Sequence, residues 1–297
     1  MNYYIGTKQL LIKNILSKDE TFITIFFKPL RGGDKSFIDA IFNHSTEFDF
    51  DRNEAAVTVN DITVSRAQLA IELSPAAPFL SNGLIMKFIC LMFIWRDRKV
   101  STNYSDVNRE SASFTTLRSN VFLPGEIIQR YPLTETVSAE EVELRTYIHD
   151  LFDSVSSDQI GQLFMPCYIG EGLGRWILLV VNFIEGNLYY IDPTLIPHNA
   201  IPSTLPSVVR DTITSLTQLF RSARNKLDME IDILSKAFTP WPHQYYAAFL
   251  PVDSGVAVAS IIYFMINGCP LYLSCQNIYH ARYNFAYWIC CNGCLPY

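Results

Sequence analysis

The sequence has few charged residues and no cluster of basic ones. Of its 297 residues, 18% are Asp, Glu, Lys or Arg, and the formal net charge at pH 7 is -6. Nucleic-acid binding depends on clustered Lys and Arg side chains that neutralise phosphates, so we do not expect a nucleic-acid partner. Low-complexity tracts and internal repeats are also missing, and the 49% hydrophobic content is too high for an intrinsically disordered protein.

A framework of paired cysteines is absent. The seven cysteines are an odd number without the spacing of a disulfide-stabilised domain, and the first residues lack the pattern of a secretory signal peptide. We therefore expect reduced thiols and an intracellular protein, cytoplasmic or nuclear. Three cysteines cluster near the last residue, but a closed zinc site needs four ligands at compatible spacings. We predict neither a bound metal nor a cofactor.

No apolar stretch is long enough to predict a membrane-spanning helix. Residues 254–281 contain no charged side chain, but Asn267-Gly268 and Pro270 interrupt the stretch. Each part is then too short to cross a bilayer, which requires about 20 apolar residues. We interpret both parts as buried helices and do not expect a membrane partner.

The apolar pattern predicts a mixture of helices and strands, which indicates an α+β fold. Strands are predicted at 21–27, 55–59 and 162–169, and a β-hairpin at 176–192 with its turn at E-G-N. Helices are predicted near 7–17, from Ser36, after a cap at Ser65, from Ser81, after a capping box at Ser138, at 208–223 and after Ser254. An acidic, polar stretch at 47–54 predicts a boundary between an N-terminal extension, 1–56, and the main domain, 57–297.

Ser254 lies at the predicted start of an apolar helix, in the sequence P-V-D-S-G-V-A-V-A. The dipole and the N–H groups of a helix N-terminus favour negative charge, which suits a nucleophile and an oxyanion. Ser and Asp are also the preferred residues at helix N-caps, so Asp253 and Ser254 have a purely structural interpretation as well. On these residues alone, both interpretations remain open.

The hairpin upstream of Ser254 supplies a second group of polar residues. Arg175 and Trp176 begin its first strand and Asp192 follows its second, and antiparallel pairing brings these two ends to the same edge of the sheet. With the D-S-G motif, this arrangement resembles the SUMO and ubiquitin-like-protein proteases, the papain-like cysteine peptidases that include the adenovirus proteinase. In that family a His-Trp pair opens the strand, an Asp closes the next strand, and Asp-Cys-Gly carries the nucleophile.

The resemblance covers about residues 57–292. Phe79 and Leu80 fall at the Trp-Leu positions of the family's opening segment, and the chain after Asn267-Gly268 is similar to the family's closing helix. The resemblance implies a papain-like fold with a central mixed or antiparallel sheet flanked by helices. It further implies a narrow aromatic tunnel for a glycine-glycine tail, and substrate-binding positions at Trp176, Phe79, Asn82, Asp253 and Gly255.

The chain departs from the family pattern at the positions that perform catalysis. Ser254 replaces the nucleophilic Cys, and Arg175 replaces the His that acts as the general base. The Gln of the oxyanion hole has no clear counterpart, since Gln244 lies ten residues before Ser254 and Ala248 has no hydrogen-bonding side chain. A serine hydroxyl needs an adjacent base, and a guanidinium stays protonated. We therefore expect an inert Arg175 that forms an ion pair with Asp192.

Three functional hypotheses follow from the resemblance and its departures. The leading one is a catalytically impaired pseudoprotease that binds protein partners of the ubiquitin or SUMO kind. The alternative is a cysteine peptidase, deubiquitinating or deSUMOylating, that is active with its native Cys and carries Ser254 here as an inactivating Cys→Ser change. The third is an interaction scaffold that retains only the fold. His198 and His243 flank the motifs and are the candidates for a surviving base.

Overall fold

The fold is seen in a computed structural model that describes residues 29–43, 55–59, 62–75, 119–123, 160–170, 174–195, 201–222, 232–241, 248–267 and 275–290. The chain divides into two units. The terminal unit comprises Met1–Phe79, Tyr245–Ala247 and Ser260–Tyr297, and the sheet unit comprises Leu80–Gln244 and Ala248–Ala259.

The described helices and strands follow one another in a mixed order, as the α+β prediction requires. They are α1 (Gly32–Phe42), β1 (Ala55–Val59), β2 (Ile62–Ser65), α2 (Arg66–Leu73), β3 (Ser119–Phe122), β4 (Ile160–Ile169), β5 (Arg175–Asn182), β6 (Asn187–Ile191), α3 (Ser207–Ser222), α4 (Ser254–Asn267) and α5 (Cys275–Cys290). A 3-10 turn at Pro251–Asp253 leads directly into α4. No described helix has the length and the apolar character needed to cross a membrane.

In the terminal unit, α1, α2 and α5 contact one another, and β1 pairs with β2 in an antiparallel hairpin. Asp39 of α1 accepts hydrogen bonds from Lys35 Nζ at 2.6 Å and from Tyr283 Oη at 2.8 Å. The Tyr283 ring also packs edge-to-face on Phe42, with centroids 5.1 Å apart. These contacts fix α5 against α1 through both polar and aromatic groups.

Both ends of α2 are capped by side chains. The predicted cap at Ser65 is confirmed as a capping box, in which Ser65 Oγ accepts from Gln68 N at 3.2 Å and Gln68 Oε1 accepts from Ser65 N at 2.8 Å. At the other end, Arg282 of α5 is 2% exposed and donates to the carbonyl oxygens of Glu72 and Ser74. A helix end leaves carbonyls without intrahelical partners, and this buried guanidinium satisfies two of them.

The sheet unit is built on a four-stranded sheet with the order β3-β4-β5-β6. β3 is parallel to β4, and the other pairs are antiparallel. The predicted hairpin is confirmed: β5 and β6 pair from Leu178↔Ile191 to Asn182↔Asn187, and the turn uses Gly186 at φ +67°. That positive φ is accessible to glycine without steric cost, which explains the E-G-N signal in the sequence.

One face of this sheet packs on α3 and forms the main described core. The helix buries its residues at intervals of three or four, which is the amphipathic spacing that the sequence predicts. Alternate residues of β4 and β5 point to the same core, in keeping with the two-residue period of a strand. The cluster includes Leu163, Met165, Cys167, Ile169, Ile177, Leu179, Val181, Leu188, Tyr190, Val209, Leu216 and Phe220.

The helix predicted from Ser36 begins four residues earlier, at Gly32. The preceding residues, R-G-G-D-K, include two glycines, and glycine has a low helix propensity. In the structure these residues form the first turn of the helix, where Lys35 N donates to Arg31 O at 2.8 Å. The ion pair between Lys35 and Asp39, one turn apart, contributes to the stability of this start.

The strand predicted at 162–169 and the helix predicted at 208–223 are confirmed with boundaries that differ by one or two residues. The elements predicted near 7–17 and 21–27 and those predicted from Ser81 and Ser138 lie outside the described residues. The boundary between 1–56 and 57–297 stays a prediction.

A substitution at Gly174, just before β5, tests how closely this position packs against Tyr168. Its φ is +62°, and a Cβ at this position would overlap the Tyr168 hydroxyl. We expect Gly174→Ala to lower the free energy of unfolding by about 1–3 kcal/mol, the usual cost of a strained backbone position. Urea unfolding measures the change, with Gly170→Ala as the matched control, because a Cβ there lies 3.7 Å from the nearest Tyr168 atom. Equal stability of the two variants would contradict the described packing.

Candidate functional site

Ser254 ties the start of α4 to the start of β5. It is the first residue of α4 and is fully buried. Its Oγ donates to the carbonyl oxygen of Pro251 at 2.6 Å and accepts from the backbone N–H of Trp176 at 2.8 Å. The structural interpretation of the sequence proposed Ser254 as a cap of α4, but the hydroxyl forms these two bonds instead. It uses its proton and a lone pair to join the 3-10 turn to the sheet.

Arg175 and Asp192 form the ion pair that the sequence predicts. Arg175 Nε lies 2.9 Å from Asp192 Oδ2, and the Asp192 side chain is fully buried whereas that of Arg175 is 30% exposed. Oδ1 of Asp192 accepts from Thr194 N at 3.0 Å and from Thr194 Oγ1 at 2.7 Å. Tyr190 Oη donates to Oδ2 at 3.4 Å. The carboxylate is thus compensated by one cation and three neutral donors.

The ionisation of this group follows from its packing. Burial lowers the pKa of the Arg175 guanidinium, but the hydrogen bond and the charge of Asp192 raise it by more, so the pKa lies above its ordinary value. Burial and the nearby Asp192 charge raise the pKa of the Tyr190 phenol above its ordinary value. Arg175 and Tyr190 therefore both keep their protons at every physiological pH. Neither can accept a proton from Ser254.

Trp176 is placed beside this group by the register of the sheet. It pairs with Tyr168 across β4 and β5, with ring centroids 5.4 Å apart, and it is 2% exposed. Its backbone binds Ser254 while its ring packs on Tyr168. The residue whose backbone Ser254 binds therefore also buries its indole.

The D-S-G motif lies where the 3-10 turn meets α4. Asp253 is the last residue of that turn, is half-buried, and donates its backbone N–H to Leu250 O at 2.9 Å. Gly255 is buried in the first turn of α4. The structure therefore brings together Arg175, Trp176, Asp192, Asp253, Ser254 and Gly255 within the sheet unit.

Five further residues that the sequence analysis singled out, Phe79, Asn82, His198, His243 and Gln244, lie outside the described residues. Ala248, at the position nearer Ser254, is exposed. No described histidine lies in the sheet unit. In the part of the chain that the structure describes, no three His, Cys, Asp or Glu side chains are grouped as metal ligands.

Sequence analysis missed Thr194 and Tyr190 as partners of Asp192. Both had a signal. An Asp followed two residues later by Thr, in D-P-T, is typical of a turn in which the carboxylate accepts from the backbone N–H of residue i+2. Tyr190 precedes Asp192 by two residues on a strand, so their side chains share a face. The missed contact of Ser254 with Pro251 needed the 3-10 turn, which the sequence pattern does not show.

Removal of the Arg175 side chain tests whether the ion pair supports the fold. We expect Arg175→Ala to lower the free energy of unfolding by about 2 kcal/mol, below the usual cost of breaking a buried pair because water can reach the partly exposed position. The double variant Arg175→Ala with Asp192→Asn should recover part of the loss, since the neutral amide needs no countercharge. Chemical unfolding of both variants measures this. An Arg175→Ala protein as stable as the wild type would mean that the pair is not structural.

Comparisons with known proteins identify the fold. No protein-family model matches the chain, and no curated protein matches its sequence. Solved structures do match. The Ulp1 protease domain in complex with SMT3, the yeast ortholog of SUMO, is 12% identical, with a TM-score of 0.57 over 89% of this chain and 97% of that one. The SUMO protease Ulp1 with its catalytic cysteine oxidised to a sulfenic acid is 13% identical, with a TM-score of 0.57 over 90% and 98%.

At this identity the likeness concerns the fold, and it extends over nearly the whole of both chains. The sequence motifs and the comparison of structures therefore indicate the same fold, each independently of the other. The chain therefore has the α+β fold of the Ulp1 SUMO protease domain, the ubiquitin-like-protease type of papain-like fold.

Proposed function

We propose that this protein is a catalytically impaired member of the ubiquitin-like-protease fold that binds a protein partner of the ubiquitin or SUMO kind. The observation that carries the proposal is the ion pair between Asp192 and Arg175, the residue at the position of the family's general base. There, a protonated Arg175 bound to Asp192 stands beside a Ser254 whose hydroxyl is already hydrogen-bonded on both sides.

The chemistry of peptide hydrolysis requires groups that the described residues of this arrangement do not supply. A serine nucleophile must lose its proton to a base within hydrogen-bond reach during the attack. The acceptor of the Ser254 proton is the carbonyl oxygen of Pro251, which cannot serve as a base, and Arg175 has no free lone pair. An oxyanion would also find no side-chain donor at Ala248. The described groups hold one another in place and cannot move a proton.

The fold and one aromatic residue support the binding part of the proposal. A solved structure with this fold was determined in complex with SMT3. Trp176 occupies the position at which the family's aromatic tunnel holds a glycine-glycine tail, and its backbone is fixed by Ser254. A site that has lost its catalytic groups but retains this aromatic residue can bind a tail without cleaving it. The absence of a disulfide framework in the sequence agrees with an intracellular setting for such a partner.

Restoring the family's residues tests the catalytic half of the proposal. We expect no turnover of ubiquitin- or SUMO-aminomethylcoumarin by the wild type, by Ser254→Cys or by Arg175→His alone. The double variant Ser254→Cys with Arg175→His should release the fluorophore at a rate at least about tenfold above the background of the single variants, because a general base contributes about 10²–10⁴-fold. Fluorescence release measures each rate.

The single variants serve as the controls for this experiment. Turnover by the wild type would contradict the proposal that the protein is catalytically impaired. Turnover by Ser254→Cys alone would mean that a base other than residue 175 survives, which favours the active-peptidase alternative and makes His198 and His243 the next targets. Fluorescence anisotropy with labelled mature ubiquitin and SMT3 tests the binding half, and the wild type should bind at least one of them. Binding of neither would leave the scaffold hypothesis.

A further inference from the structure

The guanidinium of Arg175 has more hydrogen-bond donors than its described partners use. An arginine carries five N–H donors in a planar fork. The bond to Asp192 Oδ2 uses the donor on Nε, and the hydroxyl of Tyr190 interacts with the same guanidinium. No other described residue bonds this guanidinium, so within the part of the chain that the structure describes its remaining donors, on the two terminal nitrogens, are not used. With 30% of the side chain exposed, water or a ligand can reach them.

The fork is held in a fixed position. Asp192, fully buried, binds Nε and is itself fixed by both donors of Thr194 and by Tyr190. A planar guanidinium held at one edge presents its remaining N–H groups in a defined direction, which suits bidentate binding of a carboxylate. The hydroxyl of Tyr190 and the two donors of Thr194 also stabilise the Asp192 carboxylate, so Arg175 is not the only group that does so.

Arg175 also lies next to the nucleophile position. The residue after it, Trp176, donates its backbone N–H to Ser254 Oγ at 2.8 Å. If the site holds the tail of a ubiquitin-like protein, as the proposed function states, the last carbonyl group of that tail is the part that lies at residue 254. A tail that ends there as a free acid would bring a carboxylate to the exposed guanidinium.

We propose that Arg175 makes this site selective for a free C-terminal carboxylate, so that the protein binds the unconjugated form of a ubiquitin-like modifier in preference to its amide-linked form. This inference rests on the proposed function and names the ligand form of the same site. A carboxylate forms charge-assisted hydrogen bonds with the guanidinium, whereas an amide offers one neutral oxygen and adds a bulky group. The exchange of a base for an arginine thus turns a cleavage site into a receptor for the product of cleavage.

The test compares two forms of one probe on the wild-type protein. The probes are mature ubiquitin and SMT3 ending in a glycine carboxylate, and the same two proteins ending in a carboxamide, each labelled far from the tail. We expect the dissociation constant of the carboxylate form to be about tenfold lower for at least one modifier, the typical range for a charged hydrogen bond at a partly exposed site. The difference should shrink as salt rises, because the arginine is accessible to solvent.

Two variants assign the preference to Arg175. Arg175→Gln with Asp192→Asn removes the cation without leaving a buried uncompensated carboxylate, and Arg210→Gln removes an exposed arginine of α3 as the matched control. The double variant should bind the carboxylate form no better than the carboxamide form, and Arg210→Gln should retain the wild-type preference. Circular dichroism verifies that both variants are folded.

Each result has a separate meaning. Equal affinity of the wild type for the two forms would overturn the selectivity and leave the proposed partner binding intact. A preference that persists in the folded double variant would also overturn it, because the carboxylate would then bind elsewhere. Binding of neither form of either modifier would overturn the proposed function itself, and the selectivity with it.

Discussion

The buried carboxylate of Asp192 is the constraint on which the candidate site depends. A charge that is removed from water costs several kcal/mol unless its lone pairs are satisfied. Here the chain supplies a cation from the start of β5, a phenol from β6, and both an N–H and a hydroxyl from the turn that follows. These four donors come from three consecutive parts of the sheet unit, so the carboxylate fixes the hairpin and its exit turn relative to one another.

Ser254 links the start of α4 to the same sheet by hydrogen bonds. Its hydroxyl joins the backbone of Trp176 to that of Pro251 and thereby sets where α4 begins relative to β5. In an enzyme with this fold the residue at this position must stay reactive, which requires a group that its neighbours do not fully use. In the present chain the Ser254 hydroxyl donates its proton to Pro251 O and accepts from Trp176 N. Ser254, Arg175 and Asp192 therefore each form contacts that hold neighbouring elements of the sheet unit together.

Local signals in the sequence predicted much of this. The alternating apolar pattern, the E-G-N turn and the cap at Ser65 each specify a local geometry, and the structure has all three. The ion pair was predictable because antiparallel pairing forces Arg175 and Asp192 to one edge. The start of α1 was predicted four residues too late because two glycines, which have a low helix propensity, form part of its first turn. The contact between Ser254 and Trp176 joins residues 78 positions apart, and no local pattern encodes such a contact.

The geometry at Ser254 also bears on whether a serine belongs there. Its Oγ lies 2.6 Å from the Pro251 carbonyl and 2.8 Å from Trp176 N. A thiol makes longer and weaker hydrogen bonds, and the described Cys167 Sγ lies 3.5 Å from the carbonyl oxygen that it contacts. A cysteine at residue 254 would match these two short distances less closely than the serine does. The hydroxyl therefore suits the spacing between the 3-10 turn and β5, as the guanidinium of Arg175 suits the buried carboxylate of Asp192.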